Sequence, residues 1–178
     1  MRHSEYVALF RGLAGSHKKI RHASQTPRFA RVIISIDPYQ RVMDLHEMSN
    51  LLGTRLRPGA GEQVMVLESC QTLYGDNGGD NRTRRRHGAF YILQQASSAQ
   101  DADGVESIID ETEQTGEEII AAVLKQYEDQ GKIRWQVSDI SSDVVGPLAD
   151  GTWYGVRFDI EWTAPANAGF TYNPSAFN

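Results

Sequence analysis

The sequence contains a single cysteine, Cys70, so no disulfide bond can form within the chain. Cys70 lies in an apolar run and is expected to be a small core residue, so it does not indicate an oxidising compartment. No apolar run approaches the length of a membrane span. The first residues, Met1 to Glu5, lack the apolar stretch of a secretory signal. We therefore expect a protein that is made in the cytoplasm and makes no membrane contact.

Residue spacings typical of catalytic and metal sites are also missing. The five histidines show no helical pairing and no cysteine companion, whereas a zinc site needs three or four converging ligands. The segment Asp76 to Asn81 has oxygen ligands and glycines but lacks the closing glutamate of a calcium loop, which favours a flexible turn. Ser69 lies in no nucleophile elbow, and no Gly-Lys-Ser/Thr phosphate loop is present. We therefore expect no cofactor, no metal and no enzymatic activity; an enzyme, the alternative, would need a pocket with perturbed titratable groups.

Length and composition are ordinary for one globular domain. Of the 178 residues, 40% are apolar and 23% are charged, which is enough to build a core. We predict a single domain over residues 1–163 and a C-terminal tail over residues 164–178. The net charge of −5 argues against a protein that coats nucleic acid with its whole surface, although a local basic patch stays open.

The stretch from Thr152 to Thr163 alternates with a period of two, which predicts a half-buried antiparallel strand. The side chains on one face of this strand are apolar and are expected to form the core face. The residues on the other face begin with Trp153 and Gly155 and continue with charged residues. The Asp150-Gly151 pair is typical of a tight hairpin turn, so residues 144–148 are expected to pair with this strand. The apolar set is Tyr154, Val156, Phe158, Ile160 and Trp162, and the charged residues are Arg157, Asp159 and Glu161.

Hydrophobic periodicity predicts three helices and several further strands. The helices are expected at residues 4–15, 37–51 and 104–130, and the remaining strands at 30–36, 63–73, 88–96 and 133–137. In the second helix, Val42, Met43 and Leu45 are expected to be buried. The longest helix has an apolar stripe and an acidic outer surface. This order predicts an α+β fold, with a mostly antiparallel sheet covered on one face by the long helix.

The polar segment from Tyr74 to His87 contains the strongest charge cluster of the chain. It has almost no apolar residue, so we predict a long exposed hairpin loop. Three interpretations stay open: a solvated tip, a salt-bridged seat for the acidic helix of another subunit, or a contact with nucleic-acid phosphates. The negative net charge favours the first two. The basic residues are Arg82, Arg84, Arg85, Arg86 and His87, and the helix carboxylates include Glu113 and Glu117.

The predicted tail has two prolines and few apolar residues, with Phe170, Tyr172 and Phe177 spaced along it. Spaced aromatic residues of this kind are expected to dock on a neighbouring surface, either of the same domain or of another subunit. We therefore count these three residues, the four arginines, Glu113 and Glu117 as candidate subunit-interface residues.

Several strings, taken in this order along the chain, resemble small virion proteins of tailed bacteriophages, in particular the tail terminator or tail-completion proteins of the head–tail junction. The strings are His17-Lys-Lys-Ile-Arg-His22, Gly88-Ala-Phe-Tyr-Ile-Leu93, Val145-Gly-Pro-Leu-Ala-Asp-Gly-Thr-Trp-Tyr-Gly-Val-Arg-Phe158 and Tyr172-Asn-Pro-Ser-Ala-Phe177. The resemblance covers most of the chain but includes no catalytic motif.

This resemblance implies a non-enzymatic structural subunit of the virion tail or neck, made in the host cytoplasm. It implies an α+β subunit that forms a ring, expected to be a hexamer, which stacks on the last tail-tube ring and joins it to the head. The implied partners are identical subunits, the tail tube and neck or connector proteins, with contact to the phage DNA as it passes. No catalytic, cofactor-binding or metal-binding residue is implied.

Overall fold

The computed structural model describes residues 1–34, 38–56, 58–76, 78, 81–97, 102–128, 134–149 and 151–177. Three helices and six strands account for most of these residues, and two short 3-10 turns follow at Asn167–Phe170 and Pro174–Ala176. The predicted α+β fold is confirmed. In chain order the elements are α1 His3–Ser16, β1 Phe29–Val32, α2 Pro38–Thr54, β2 Gln63–Glu68, β3 Gln71–Asp76, β4 Arg82–Gln95, α3 Ala102–Glu128, β5 Arg134–Leu148 and β6 Trp153–Pro165.

The strands form one mostly antiparallel sheet in the order β1-β2-β4-β6-β5, with β3 also beside β4. Among the described strands, only β1 pairs in parallel, with β2. Strands β2 and β3 follow each other along β4, β2 beside residues 90–94 and β3 beside residues 82–87. The predicted strand 63–73 is therefore interrupted at Ser69 and Cys70 and continues to Asp76. Its interior position is confirmed for β2, which lies between β1 and β4.

Helices α1 and α3 cover one face of the sheet, which we call the first face. Its core joins Phe10 of α1 and Ile119 of α3 to alternate residues of β4 and β6, including Phe90, Phe158 and Trp162. This confirms that the long helix covers the sheet. At Gly116 the helix lies so close to β6 that an added Cβ would stand 1.9 Å from Cε2 of Phe158.

Helix α2 covers part of the opposite face, which we call the second face. Met48 and Leu52 of α2 pack there on Val64, Val66 and other buried side chains. Trp153 belongs to this second core. The series of β6 residues that contains Trp153, Gly155 and the charged residues therefore begins in a buried position and does not face solvent along its whole length. The prediction for α2 itself is partly wrong. Met43 is 64% exposed and Leu45 is half-buried, while the side chain of Val42 lies outside the described part of the structure.

The two strands predicted before the Asp-Gly turn form one strand, β5. It pairs with β6 from Arg134 to Leu148, with irregular register between Trp135 and Ile140 and again after Val145. The predicted hairpin with β6 is confirmed, and Gly151 of the turn has φ of +80°. Asp150 and Ile133 lie outside the described residues, as do Ser35, Ile36 and Asp37, on which the predicted end of β1 and start of α2 fall.

The predicted loop from Tyr74 to His87 is mostly strand, and this is the main correction to the sequence analysis. The hairpin exists, but its arms are β3 and β4, so at most residues 77–81 connect them. Residues 82–87 pair with β3 on one side and with β6 on the other. Backbone hydrogen bonds on both sides hold this segment in the sheet, and they need no apolar side chain.

Candidate interaction surfaces

The arginines of β4 do not form one patch, because successive strand residues point to opposite faces of the sheet. Arg82, Arg84 and Arg86 lie on the first face, at the end where α1 begins. Arg85 and His87 lie on the second face, where Arg85 forms an ion pair with Glu161 of β6 at 3.5 Å and Nε2 of His87 lies 3.3 Å from Oδ1 of Asp159. The predicted cluster is thus divided between two surfaces.

Arg86 is the most buried of these side chains, with 8% of its surface exposed. Its Nη1 lies 3.7 Å from Sγ of Cys70, which is half-buried at the edge of the first core. The Nε atoms of Arg84 and Arg86 are buried and have no hydrogen-bond partner among the described residues. No carboxylate of the described chain forms an ion pair with either guanidinium. Two positive charges are therefore held together without compensation from the rest of the described chain.

A cavity of about 440 Å³ lies beside Arg84 on the first face. It is open to solvent on one side and is lined by the start of α1, the β3–β4 hairpin, the end of β6 and the chain that follows it. Charged, aromatic and small residues line it: Arg2, Tyr74, Arg84, Pro165, Ala166, Ala168, Gly169 and Phe170.

The beginning of the predicted tail docks on the hairpin of its own chain. The backbone N–H of Arg82 donates to Oδ1 of Asn167 at 2.7 Å, and Nη1 of Arg82 donates to the carbonyl of Phe170 at 3.3 Å. The ring of Phe170 packs edge-on against Tyr74, with centroids 5.0 Å apart. The sequence predicts that Phe170 docks either on its own domain or on another subunit, and in this structure it docks on its own domain. Ala164 and Pro165 belong to β6 rather than to a tail.

The other two aromatic residues of the tail behave differently from Phe170. Tyr172 and Phe177 stack on each other, with ring centroids 5.6 Å apart. They are 73% and 69% exposed, respectively. The described residues of the same chain leave both rings exposed, so a further surface would be needed to bury them.

The acidic outer surface of α3 is partly neutralised within the chain. Glu111 pairs with Lys19 at 3.3 Å and Glu118 with His17 at 2.8 Å, so the basic segment after α1 contacts this helix. The hydrogen bond from His17 lowers the pKa of Glu118. Glu113 and Glu117 are exposed, and no described residue forms an ion pair with them. The structure does not bring them to the arginines of the same chain.

A polar network on the second face was not foreseen from the sequence. Glu68 accepts hydrogen bonds from the Tyr91 hydroxyl at 2.6 Å and from Nε of Arg157 at 3.1 Å. Arg157 also pairs with Asp159, which His87 reaches in turn. Burial and the neighbouring Glu68 carboxylate raise the pKa of Tyr91, so its hydroxyl stays protonated and donates. The signal was present in part, because Arg157 and Asp159 shared one face of the predicted strand.

The network has the properties of a structural ion-pair cluster. Arg157 lies between two carboxylates, Glu68 and Asp159, and the members of the network lie on three adjacent strands, β2, β4 and β6. Within the described ranges, no group of three or more histidine, cysteine, aspartate or glutamate side chains is arranged to hold a metal ion. We therefore assign the network to the support of the sheet where α2 does not cover it.

Comparison with models of known protein families gave no match to this chain, and neither did comparison with curated proteins. Among the helices that the structure describes, none has both the length and the hydropathy needed to cross a membrane. The surfaces described above are therefore the basis for any functional assignment.

Proposed function

We propose that this protein is a non-enzymatic structural subunit that assembles into a ring of identical copies. The observation that carries the proposal is that one subunit exposes charges of opposite sign on different elements. Arg85 lies on the β3–β4 hairpin, where its side chain is 56% exposed although it pairs with Glu161 at 3.5 Å, while Glu113 and Glu117 lie on α3 without ion-pair partners among the described residues. A contact between two different patches of identical subunits is heterologous, and such contacts close into rings when the rotation between subunits permits.

The outer edge of β5 gives further support for assembly. This strand has 15 residues and pairs with β6 alone among the described strands. Val137 and Val144 are exposed on it. Exposed edge strands promote pairing with other chains, and natural proteins blunt them with bulges or proline or cover them. The register of β5 is regular from Ile140 to Val145, so this segment is the part of the edge that remains open to pairing. A neighbouring subunit would provide that cover.

The finer proposal is a tail terminator or neck-type protein of a tailed bacteriophage. It is supported by the resemblance of the strings quoted above and by the order of helices and strands. In this proposal the ring, a hexamer, caps the tail tube in the virion and joins it to the neck, and the phage DNA passes along it. Imaging of purified particles for a central hole, and capture of tail-tube protein by the ring, test this assignment.

The assembly itself is tested by charge reversal. We expect Arg85→Glu to lower the mass measured by light scattering to that of smaller species, since it sets carboxylates against carboxylates. Adding Glu113→Arg and Glu117→Arg to the same chain should restore the ring, because both surfaces are then reversed in every subunit. Glu47→Arg, an exposed change on α2, is the control and should leave the mass unchanged. A wild-type protein that stays monomeric at all concentrations would rule out the proposal.

Contact with nucleic acid through residues 82–87 is the second candidate function. The observation in its favour is that Arg84 and Arg86 have no anionic partner among the described residues. Phosphate contacts make binding strongly salt-dependent, so a steep loss of DNA affinity with rising salt would support this candidate. Because alternate residues point to opposite faces of the sheet, one strand of nucleic acid could not contact all five basic residues along a single surface.

A further inference from the structure

We propose that the cavity beside Arg84 is a binding site for a phosphate group attached to a planar ring, as in a nucleotide. The inference does not depend on ring formation by the protein. It rests on three properties of the cavity: uncompensated positive charge, aromatic lining and size.

The positive charge comes from Arg2 and Arg84, which line the cavity, and from Arg86, which follows Arg84 on the same face of β4. Charges held in partly dehydrated surroundings are costly unless they are paired. The nearest carboxylate of α1, Glu5, accepts a hydrogen bond from the backbone N–H of Arg2 at 2.5 Å, and this contact lowers its pKa. Glu5 also lies 3.7 Å from the N-terminal ammonium group, and it forms no ion pair with Arg84 or Arg86, so the guanidinium groups of these two residues stay open to an external anion.

The start of α1 strengthens the preference for an anion. The helix begins at His3, with Arg2 as its N-cap residue, and the free N–H groups of a first helical turn carry partial positive charge. Arginine side chains bind phosphate oxygens with two parallel hydrogen bonds. A phosphate monoester carries a charge of about −1.5 to −2 at neutral pH, which matches two lining arginines better than a single carboxylate does.

The aromatic lining indicates what the phosphate is attached to. Tyr74 and Phe170 meet edge to face and are 60% and 46% exposed, and the guanidinium of Arg82 lies 5.8 Å from the centroid of the Phe170 ring, so a ligand would stack on the ring surface that Arg82 and Tyr74 leave open. Stacking on aromatic side chains is a common way to bind a nucleobase, and it tolerates different bases. A volume of about 440 Å³ lies within the range of small-molecule sites, about 300–1,000 Å³.

The experiment is calorimetric titration of the full chain with adenosine monophosphate at low salt in a phosphate-free buffer. We expect saturable binding that Arg84→Gln weakens about tenfold or more, because charge-assisted hydrogen bonds are lost. Arg85→Gln is the matched control, since this neighbouring residue of the same strand points to the opposite face, and it should change the affinity less than twofold. Phe170→Ala should weaken adenosine monophosphate more than inorganic phosphate.

A single-stranded thymidine decamer distinguishes a free nucleotide from a nucleotide within a strand. Tighter binding of the decamer that is equally sensitive to Arg84→Gln supports the site as part of a strand-binding surface, and binding of the mononucleotide alone supports a free ligand. The proposal is overturned if the folded wild-type chain binds neither, or if Arg84→Gln and Arg85→Gln weaken binding equally. Circular dichroism of each variant shows that it is folded. Because the ring test uses Arg85 and the helix carboxylates, failure of one proposal leaves the other standing.

Discussion

Two arginines with the same burial have opposite surroundings in this protein. Arg28 and Arg86 are both 8% exposed. Arg28 pairs with Glu62 at 2.5 Å and donates from Nη1 to the carbonyl of Ile20 at 2.9 Å. Arg86 has a cysteine sulfur at 3.7 Å and no carboxylate partner among the described residues. The first arginine is therefore expected to stabilise the fold, and the second to cost free energy unless an anion is bound nearby.

Replacing each arginine by methionine tests this contrast. In phosphate-free buffer, Arg86→Met should raise the free energy of unfolding by about 1–3 kcal/mol, because it removes an unpaired buried charge and keeps the packing volume. Arg28→Met should lower it by about 1–3 kcal/mol, since Glu62, which is partly exposed and still accepts a hydrogen bond from the backbone N–H of Gly59, loses its charged partner. Urea denaturation measures both. A clear loss of stability in Arg86→Met would contradict this account of its surroundings.

His22 should make stability depend on pH. Burial, with a smaller contribution from Arg11, lowers the pKa of His22, and its Nδ1 accepts a hydrogen bond from the backbone N–H of Arg28 at 3.2 Å. Folding therefore disfavours the protonated ring. The stabilisation by neutral His22 is fully present above the unfolded pKa of about 6.5 and is lost as the pH falls through the lower folded pKa.

The measurement is the free energy of unfolding between about pH 7 and pH 5 for the wild type and for His22→Gln. The wild type should lose more stability on acidification, because the unfolded chain binds a proton that the folded chain resists. His46→Gln is a control, since His46 is exposed on α2. Equal pH dependence in the wild type and His22→Gln would contradict the prediction.

At the scale of elements, the closest contact between the long helix and the sheet depends on one glycine. Gly116→Ala places a methyl group where Phe158 now lies, so α3 must move away from β6 or Phe158 must leave its position. We expect a loss of about 1–3 kcal/mol or more in thermal or urea unfolding. Gly12→Ala in α1 is the matched control. Its added Cβ would meet nothing within 4 Å, so it should stabilise the helix by about 0.5–1 kcal/mol.

Helices were easier to predict than strands for a physical reason. The periodic apolar stripe of α3 is a property of its own sequence, and Ile108, Ile119 and Val123 of this stripe are buried. Strand 82–87 has no such local pattern, because its position depends on backbone pairing with β3 and β6. The exposed Met43 of α2 has a similar cause, since apolar residues around that helix allow more than one buried face.

The candidate surfaces could be predicted only in part. The sequence identified the arginines, the acidic helix and the tail aromatics by residue type. The sequence could not reveal that the side chains of Arg84 and Arg85 lie on opposite faces of the sheet. This arrangement follows only if the segment 82–87 is a strand, and the segment has no apolar residues to indicate one. Nor could the sequence place Phe170 next to Tyr74, which are far apart in the chain and meet through the pairing of β4 with β6.

At the scale of the whole molecule, the sheet has a hydrophobic core on each face, and the two cores lie over different parts of the sheet. Helices α1 and α3 lie over the first face, and α2 lies over the second face near β1 and β2. The rest of the second face is polar, with the network around Glu68 and Arg157. The outer edge of β5 lies at the opposite end of the sheet from β1, so the sheet continues to a border that another copy could extend.

The alternation along β4 limits how the chain can change in length. One extra residue inserted between His87 and Phe90 would invert the hairpin end of the strand, so that Arg84 and Arg86 would pass to the second face and Arg85 and His87 to the first. Two extra residues would keep each side chain on its own face. Chains of this fold that vary within the hairpin should therefore differ by even numbers of residues in its arms, while odd changes should fall between Asp76 and Arg82.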